Sequence, residues 1–556
     1  QEFFCRLFMD TRRLILVLIF TFSSFMLWEN WQKYNQPKPL AEAANSAAIA
    51  GAAPIPSAAL QAKAAPGEVQ SAVPASTAAT FTVATDLIKA SISEQGGDLV
   101  ELELLKYKAH EDKSKNFFLF DAKHQYAAQS GLIGEGMPNH RTLFKRVDGP
   151  TSLADGVNEL KVRLEATAAN GAKIAKILTF KRGSYDIDVT WEINNTTDKP
   201  LTPNAYFQLQ RDDVKPEGET KMVSTFTGVA VYTDAEKYQK VDFAHIAENK
   251  AKFAKNADDG WLAMVQHYFV SAWVPKDKTP REFYMRKVDG TNVFQAGVIV
   301  PIAEITRGSK SDITVTLFAG PQEQSALKQV ATGLDLVVDY GWLTVVAAPI
   351  FWALEAIHKI VGNWGWAIVV LTVILKAIFF PLSAASYKSM AKMKKLTPRL
   401  THLKERYGDD KQRLNQEMMK MYQTEKVNPL GGCLPILIQI PVFISLYWVL
   451  LGAVEMRDAP WILWIKDLAS ADPYYILPVI MMVSMFVQTK LNPTPPDPIQ
   501  AKVMMAMPLI FGFMFFWFPA GLVLYWVVNN VLSIAQQWQI TRLIEAGGKA
   551  ANDAKA

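Results

Sequence analysis

The sequence predicts an α-helical integral membrane protein that carries one large all-β sandwich, and three observations predict it. Several stretches are apolar over lengths close to the thickness of a bilayer. The region between the first of these and the rest is polar, with short alternating runs divided by turn residues. Basic residues collect beside the apolar stretches in a way that assigns each end to one side of the membrane. At 556 residues, half of them hydrophobic and 20% charged, the chain is too long and too mixed for one soluble domain. Its net charge of +5 is too small for a dedicated nucleic-acid binder, so no DNA partner is expected. The two cysteines, Cys5 and Cys433, lie outside the polar region, which excludes a disulfide framework there and any CxxC or Cys/His metal site. No cofactor is called for.

In chain order, Met9-Asp10-Thr11-Arg12-Arg13 reads as a more natural start than Gln1, and residues 1–13 are expected in the cytoplasm. Residues 14–31 form an apolar anchor helix. Ala41-Glu42-Ala43 has the A-x-A form of a signal-peptide cleavage site, but the polar stretch from Glu29 to Lys38 separates it from the apolar run, which favours an uncleaved anchor. Residues 36–79 are rich in Ala, Pro, Ser and Gly and read as a flexible tether.

Residues 80–335 change character. The runs 176–180 (KILTF), 185–194 (YDIDVTWEIN), 292–300 (NVFQAGVIV) and 312–318 (DITVTLF) alternate or are rich in β-branched and aromatic residues, and Arg182-Gly183-Ser184, Asp289-Gly290 and Arg307-Gly308-Ser309 break them. A sandwich large enough to bury its own core follows. His110, His124, His140, His245 and His267 have no catalytic or metal spacing and read as ordinary surface or strand-end histidines, so binding or scaffolding is the expected role.

Residues 338–361 combine apolar residues with Pro349, Glu355, His358 and Lys359, the pattern of a helix lying in the membrane interface. The next stretch, 364–382, is expected to span the bilayer, with Trp364 and Trp366 at one headgroup layer and Pro381 near the other. Lys376 lies about two turns inside the Pro end, where a charge is costly. Two readings are open: its stem snorkels toward the headgroups, or it faces a wet surface with Thr372, one turn away on the same helix face. Gln439, Ser445, Asn529, Asn530 and Ser533 in later apolar stretches either line the same cavity or hydrogen-bond helices to one another.

Residues 383–428 read as a basic antiparallel helical hairpin turning at Gly408-Asp409-Asp410, and its positive excess places it in the cytoplasm. Lys392, Lys394, Lys395, Arg399, Lys404 and Arg406 either fix topology or make a docking surface for anionic lipid headgroups, ribosomal RNA or a nascent chain. Asn428 to Gly432 ends the hairpin. Further spans are expected at 435–454, 474–489, 503–518 and 522–540, with Trp461 and Trp464 as interface anchors and the Pro-rich loop after Lys490 inside. Residues 541–556 form a cytoplasmic tail. The total is six spans with both termini inside.

The stretches VGNWGWAIVVLTVILKAIFFPLSAASYKSMAKM, GDDKQRLNQEMMKMYQTEKVNPLGGCLPILIQIPVF, DPYYILPVIM and WFPAGLVLYWVVNN resemble the YidC/Oxa1/Alb3 family of membrane protein insertases, and the resemblance covers nearly the whole chain. It implies an inner-membrane insertase and chaperone, not an enzyme. Five helices would enclose a hydrophilic groove open to the cytoplasm and to lipid and closed toward the periplasm, and the β domain would be periplasmic. The implied partners are nascent membrane proteins, a Sec translocon, the ribosome and membrane lipids. The groove charge of the family is usually Arg; the matching position here is Lys376, which keeps the charge without the bidentate fork. The groove residues are then Lys376, Thr372, Gln439, Asn529 and Ser533, and the slide along which a substrate helix leaves carries over to Thr372, Tyr525 and Trp526. A secondary transporter or channel is the alternative, although its paired repeats and broken helices are not evident in the sequence.

Overall fold

The computed structural model describes residues 79–110, 112–216, 225–408, 410–425, 434–492 and 498–553. The expected anchor (14–31), nearly all of the tether (36–79), Asn428 to Gly432, the prolines at 493, 495 and 496 and the last three residues of the tail lie outside them. The chain divides into two compact units, one ending at Val338 and the other resuming at Asp339.

The first unit is built from two antiparallel nine-stranded sheets. One runs through Thr80–Ala84, Ile88–Ser93, Leu99–Lys108, Ala127–Ile133, Asn204–Asp212, Val293–Pro301, Arg281–Lys287 and Asn256–Ala257, with Asn116–Phe120 beside Leu99–Lys108. The other runs through Lys237–Val241, Gly228–Thr233, Trp261–Gln266, Phe269–Val274, Lys310–Pro321, Asp186–Asn194, Lys173–Lys181, Glu159–Thr167 and Lys145–Arg146. The inner faces share one apolar core, which joins Leu102, Phe207 and Val298 to Leu178, Trp191 and Trp273. Period-two patterning is plain in Asp186–Asn194, where Ile187, Val189, Trp191 and Ile193 are buried and the intervening residues are not. The four alternating runs seen in the sequence all fall on strands, and Gly183, Gly290 and Gly308 take positive φ at the breaks between them.

The buried ammonium inside this core is paired. Lys176 is 2% exposed, and its ammonium donates to Gly96 O at 2.8 Å and to Asp98 Oδ1 at 3.3 Å, below the face of Trp191. Burial pushes Asp98 up to about 7 against the opposing pull of Lys176, and burial draws Lys176 down. Gly97 makes room: a Cβ there would stand 3.0 Å from Lys176 Cδ. His140 differs from its expected surface setting. It is 4% exposed, with Nδ1 2.5 Å from the Tyr206 hydroxyl, because the turn that follows Ala127–Ile133 folds back over Tyr206.

The second unit is helical: α1 (Thr344–Val361), α2 (Trp364–Ile378), α3 (Phe380–Tyr407), α4 (Lys411–Thr424), α5 (Leu434–Gly452), α6 (Ile476–Leu491), α7 (Pro498–Met514) and α8 (Ala520–Asp553). Among the described residues, α1 alone is a single unbroken helix both long and apolar enough to cross a membrane, and α2 with α3 passes that test as a bent pair. Helix α1 buries Ala347, Ile350, Phe351 and Leu354 at helical spacing while Val345, Trp352 and Ile360 remain exposed. The expected unbroken helix over 364–382 is instead interrupted at Phe379, where α2 and α3 meet at 66°. Pro381 explains the break. It has no N–H to return to Ala377 O and its ring crowds that carbonyl, so a new helix starts with the proline in its first turn. Helices α3 and α4 pack as a hairpin around Leu396, Leu400 and Tyr422, and Asp410 caps α4 by accepting from Arg413 N.

Replacing Lys176 with Met is expected to leave the Asp98 carboxyl buried without its partner and to cost the 79–338 unit about 3–5 kcal/mol. Lys176→Met combined with Asp98→Asn should recover most of that loss. Urea titrations of this fragment, followed by tryptophan fluorescence, compare the two; equal losses would contradict the pairing.

Candidate functional site

Helix α2 begins at Asn363, whose side chain accepts from Trp366 N at 3.1 Å, and packs against α1 and α8. Its start lies against an indole. A Cβ on Gly365 would lie 2.2 Å from Trp461 Cδ1, so only glycine lets that indole lie across the helix. Trp461 also meets Trp366 edge-on at 5.6 Å, and Asn363 Nδ2 donates to Pro460 O. Trp464 donates to Asp472, a buried carboxylate that also accepts from Tyr474 N and Leu477 N at the start of α6. Trp461 and Trp464, expected to anchor at a membrane interface, also make these contacts with the protein while staying partly exposed. The loop between α5 and α6 also meets the start of α8, where Ala520 N donates to Ser470 O and Gly521 N to Leu468 O.

Farther along α2, Thr372 and Lys376 fall one turn apart on the buried side, 1% and 5% exposed. Thr372 Oγ1 returns its proton to Ile368 O at 2.7 Å. The Lys376 ammonium is turned inward and donates to Ser533 Oγ on α8 at 2.6 Å. Ser533 donates in turn to Asn529 O at 2.7 Å. No carboxylate among the described residues pairs with Lys376. Thr372, Lys376, Gln439, Tyr525 and Asn529, with Leu375, Phe379 and Val442, line one small recess of about 10 Å³, roughly the room of a single water.

The structure thus brings together Thr372, Lys376, Gln439, Asn529 and Tyr525, with Ser533 bonded behind them. It does not bring Trp526 into the recess; that ring packs between Phe443 and Phe515. Ser445 is fully buried with no hydrogen-bond partner among the described residues, and Asn530 turns to Ser484 on α6 at 3.0 Å. Sequence reasoning missed Ser383, Ser386, Tyr387, Ser484 and Gln537, all buried. For Gln537 a signal existed: Asn529, Ser533 and Gln537 follow at i, i+4, i+8 on one helix face. On the hairpin, Lys392, Lys394, Lys395, Arg399, Lys404 and Arg406 are all exposed, and Arg399 pairs with Glu425 at 2.7 Å. Among the described residues no group of three or more His, Cys, Asp or Glu is placed to hold a metal.

Residues 80–353 match the family model of the YidC periplasmic domain, and residues 356–547 that of the 60Kd inner membrane protein. The membrane protein insertase YidC of Dechloromonas aromatica (strain RCB) is 82% identical over 548 residues, which cover 99% of this chain and 100% of that one. The chain belongs to the YidC family of membrane protein insertases. A second insertase YidC, from Aromatoleum aromaticum (strain DSM 19018 / LMG 30748 / EbN1), is 60% identical over 97% of this chain and 98% of its own. Among solved structures, an active YidC insertase with its first transmembrane domain resolved matches at 20% identity and a TM-score of 0.39, over 82% of this chain and 91% of that one. Membership rests on the sequence matches. It makes this protein an inner-membrane insertase, a class whose work needs no catalytic side chain.

A leucine at position 365 would drive Trp461 off α2. Gly365→Leu is expected to loosen the 453–475 loop and to raise its cleavage by added protease about tenfold or more, the effect of ~1.4 kcal/mol or more on local opening. Unchanged cleavage would show that Trp461 is not held there.

Proposed function

We propose that this insertase passes the polar flank of a nascent membrane protein along the Thr372–Lys376 side of α2, while the apolar segment of the substrate moves out into lipid beside Tyr525 and Trp526. The observation that carries the reading is Lys376: an ammonium buried among apolar helices, bonded to one neutral hydroxyl and paired with no acid among the described residues. Bringing a charge out of water is costly, so such a group needs either a counter-charge or access to water and to passing ligands. The recess that Lys376 shares with Thr372, Gln439 and Asn529 supplies hydrogen-bonding neighbours for the second case. A wet path reaching partway into the bilayer shortens the dry distance a polar tail crosses, and the cation draws acidic residues of that tail. The membrane potential then favours outward movement of negative charge.

In this reading the anchor, α2, α5, α6, α7 and α8 are the six spans, α1 lies along the interface, the β unit is periplasmic and both termini are cytoplasmic. The groove opens on the cytoplasmic side, where the hairpin of α3 and α4 offers exposed cations to the ribosome, the nascent chain and anionic lipid. The protein acts alone or beside a Sec translocon. Its β unit has a core of its own, which supports an accessory place for it in insertion.

Lys376→Arg is expected to retain insertion, because the charge stays. Lys376→Ala should reduce insertion of substrates with acidic translocated tails on the order of tenfold, the worth of one charge-assisted hydrogen bond. Equal activity of the Ala variant would sink the role given to the cation. Single cysteines at positions 372, 376, 439 and 529, in a background lacking Cys5 and Cys433, should react with an impermeant thiol reagent from the cytoplasmic side only. Labelling from both sides would instead favour a channel. Removing most of residues 80–320 should leave the helical unit competent, and loss of all insertion with that unit intact would contradict an accessory role.

A further inference from the structure

Ser533 was singled out in the sequence as a groove residue, yet its hydroxyl is already engaged by the protein. A serine hydroxyl carries one proton and two lone pairs. The proton goes to Asn529 O at 2.7 Å. One lone pair takes the Lys376 ammonium at 2.6 Å, and the Tyr387 side chain is hydrogen-bonded to the same serine. Thr372 is similarly committed, to Ile368 O. The ammonium is the opposite case. It has three donors, and Ser533 occupies one.

We infer that Ser533 and Tyr387 are positioning residues: together they hold the Lys376 ammonium in one orientation and leave its remaining donors toward the recess for an acidic group of the substrate. This rests on the reading of Lys376 given above. The break at Phe379 is what makes the arrangement available. A straight continuation of α2 would carry residue 387 farther along the same axis, whereas the 66° turn lays the start of α3 back against α8, with Ser383, Ser386 and Tyr387 buried. Three helices then meet at one oxygen: α2 through Lys376, α3 through Tyr387 and α8 through Ser533 itself. A flexible four-carbon stem has many rotamers, and fixing its head against a hydroxyl that is itself held removes most of them before the substrate arrives. Ser533 as mere interhelical glue predicts something different, since glue acts on every substrate alike.

The test compares two substrates that differ only in having an acidic or a neutral translocated tail, inserted by the full chain in cells depleted of any other copy. Ser533→Ala is expected to lower the acidic-to-neutral insertion ratio about three- to tenfold, the effect of one hydrogen bond in a partly wet site. Ser533→Thr, which keeps the hydroxyl, should restore the ratio, and Tyr387→Phe should shift it in the same direction by less. In a Lys376→Met background none of these changes should lower the ratio further, because groups that act through one another are not additive. Equal losses for both tails, or a Ser533→Ala effect that persists without Lys376, would overturn the inference. So would an unchanged ratio in Ser533→Ala when Lys376→Met lowers it. If Lys376→Met itself leaves the ratio unchanged, the role of the cation fails along with the inference. Should Ser533→Ala fail to accumulate in the membrane, Ser533→Thr and Tyr387→Phe carry the comparison.

Discussion

The helical unit is arranged around one constraint: an ammonium placed among apolar helices must be given a partner. Lys376 finds it in Ser533, on the helix farthest from it in sequence. That contact requires α8 to lie against α2, and α8 in turn packs on α3 and α6. The bend at Phe379 belongs to the same requirement, since it returns α3 to α8 and lets Tyr387 share the oxygen. Pro381, read in the sequence as marking the end of a span, therefore also shapes the polar centre.

The two ends of α2 differ in kind. At its start, Gly365 admits Trp461, Gly521 brings α8 within reach of Leu468 O and Ile368, and Asp472 caps α6 beneath a closed loop. Packing of this density excludes water and resists opening. From Thr372 onward the contacts between helices turn polar: Thr372, Lys376, Asn529, Asn530, Ser533 and Gln537, with Ser383, Ser386 and Ser484 opposite, all buried. Hydroxyl and amide pairs cost less to separate than an interlocked apolar layer and can exchange partners with water or with a passing chain. An element closed at one end and exchangeable at the other has the asymmetry that one-sided access requires.

Much of this was legible in the sequence because its signals are local. Period-two runs marked strands, as in 185–194, and an isolated lysine in an apolar run marked the polar centre. What was not legible depends on residues far apart in the chain. Nothing near Lys176 announces that Asp98, 78 positions earlier, will be its partner, nor does an alternating strand show that a lysine occupies an inward position. Trp461 reads as an interface anchor because tryptophan favours that setting, and its packing on the bare backbone at Gly365, far back in the sequence, is not announced by either stretch. Tyr387 sits in a stretch whose charges read as a soluble arm, and the angle at Phe379 decides that this end of the arm is buried. Pro381 made a break there foreseeable, but its angle was not.

The two lysines buried among the described residues are hidden in different ways. Lys176 and Lys376 are almost equally hidden, at 2% and 5% exposure. Lys176 has a carboxylate, a backbone carbonyl and an indole face around its ammonium, which leaves it fully occupied within a rigid core. Such a group adds specificity to the fold and offers nothing to a ligand. Lys376 has one neutral hydroxyl, itself bonded to Asn529 O, and a recess in front of it. Burial is therefore not the signal of function here. The distinguishing quantity is the set of partners the fold supplies, because an ammonium left short of them keeps the capacity to bind an anion that passes through.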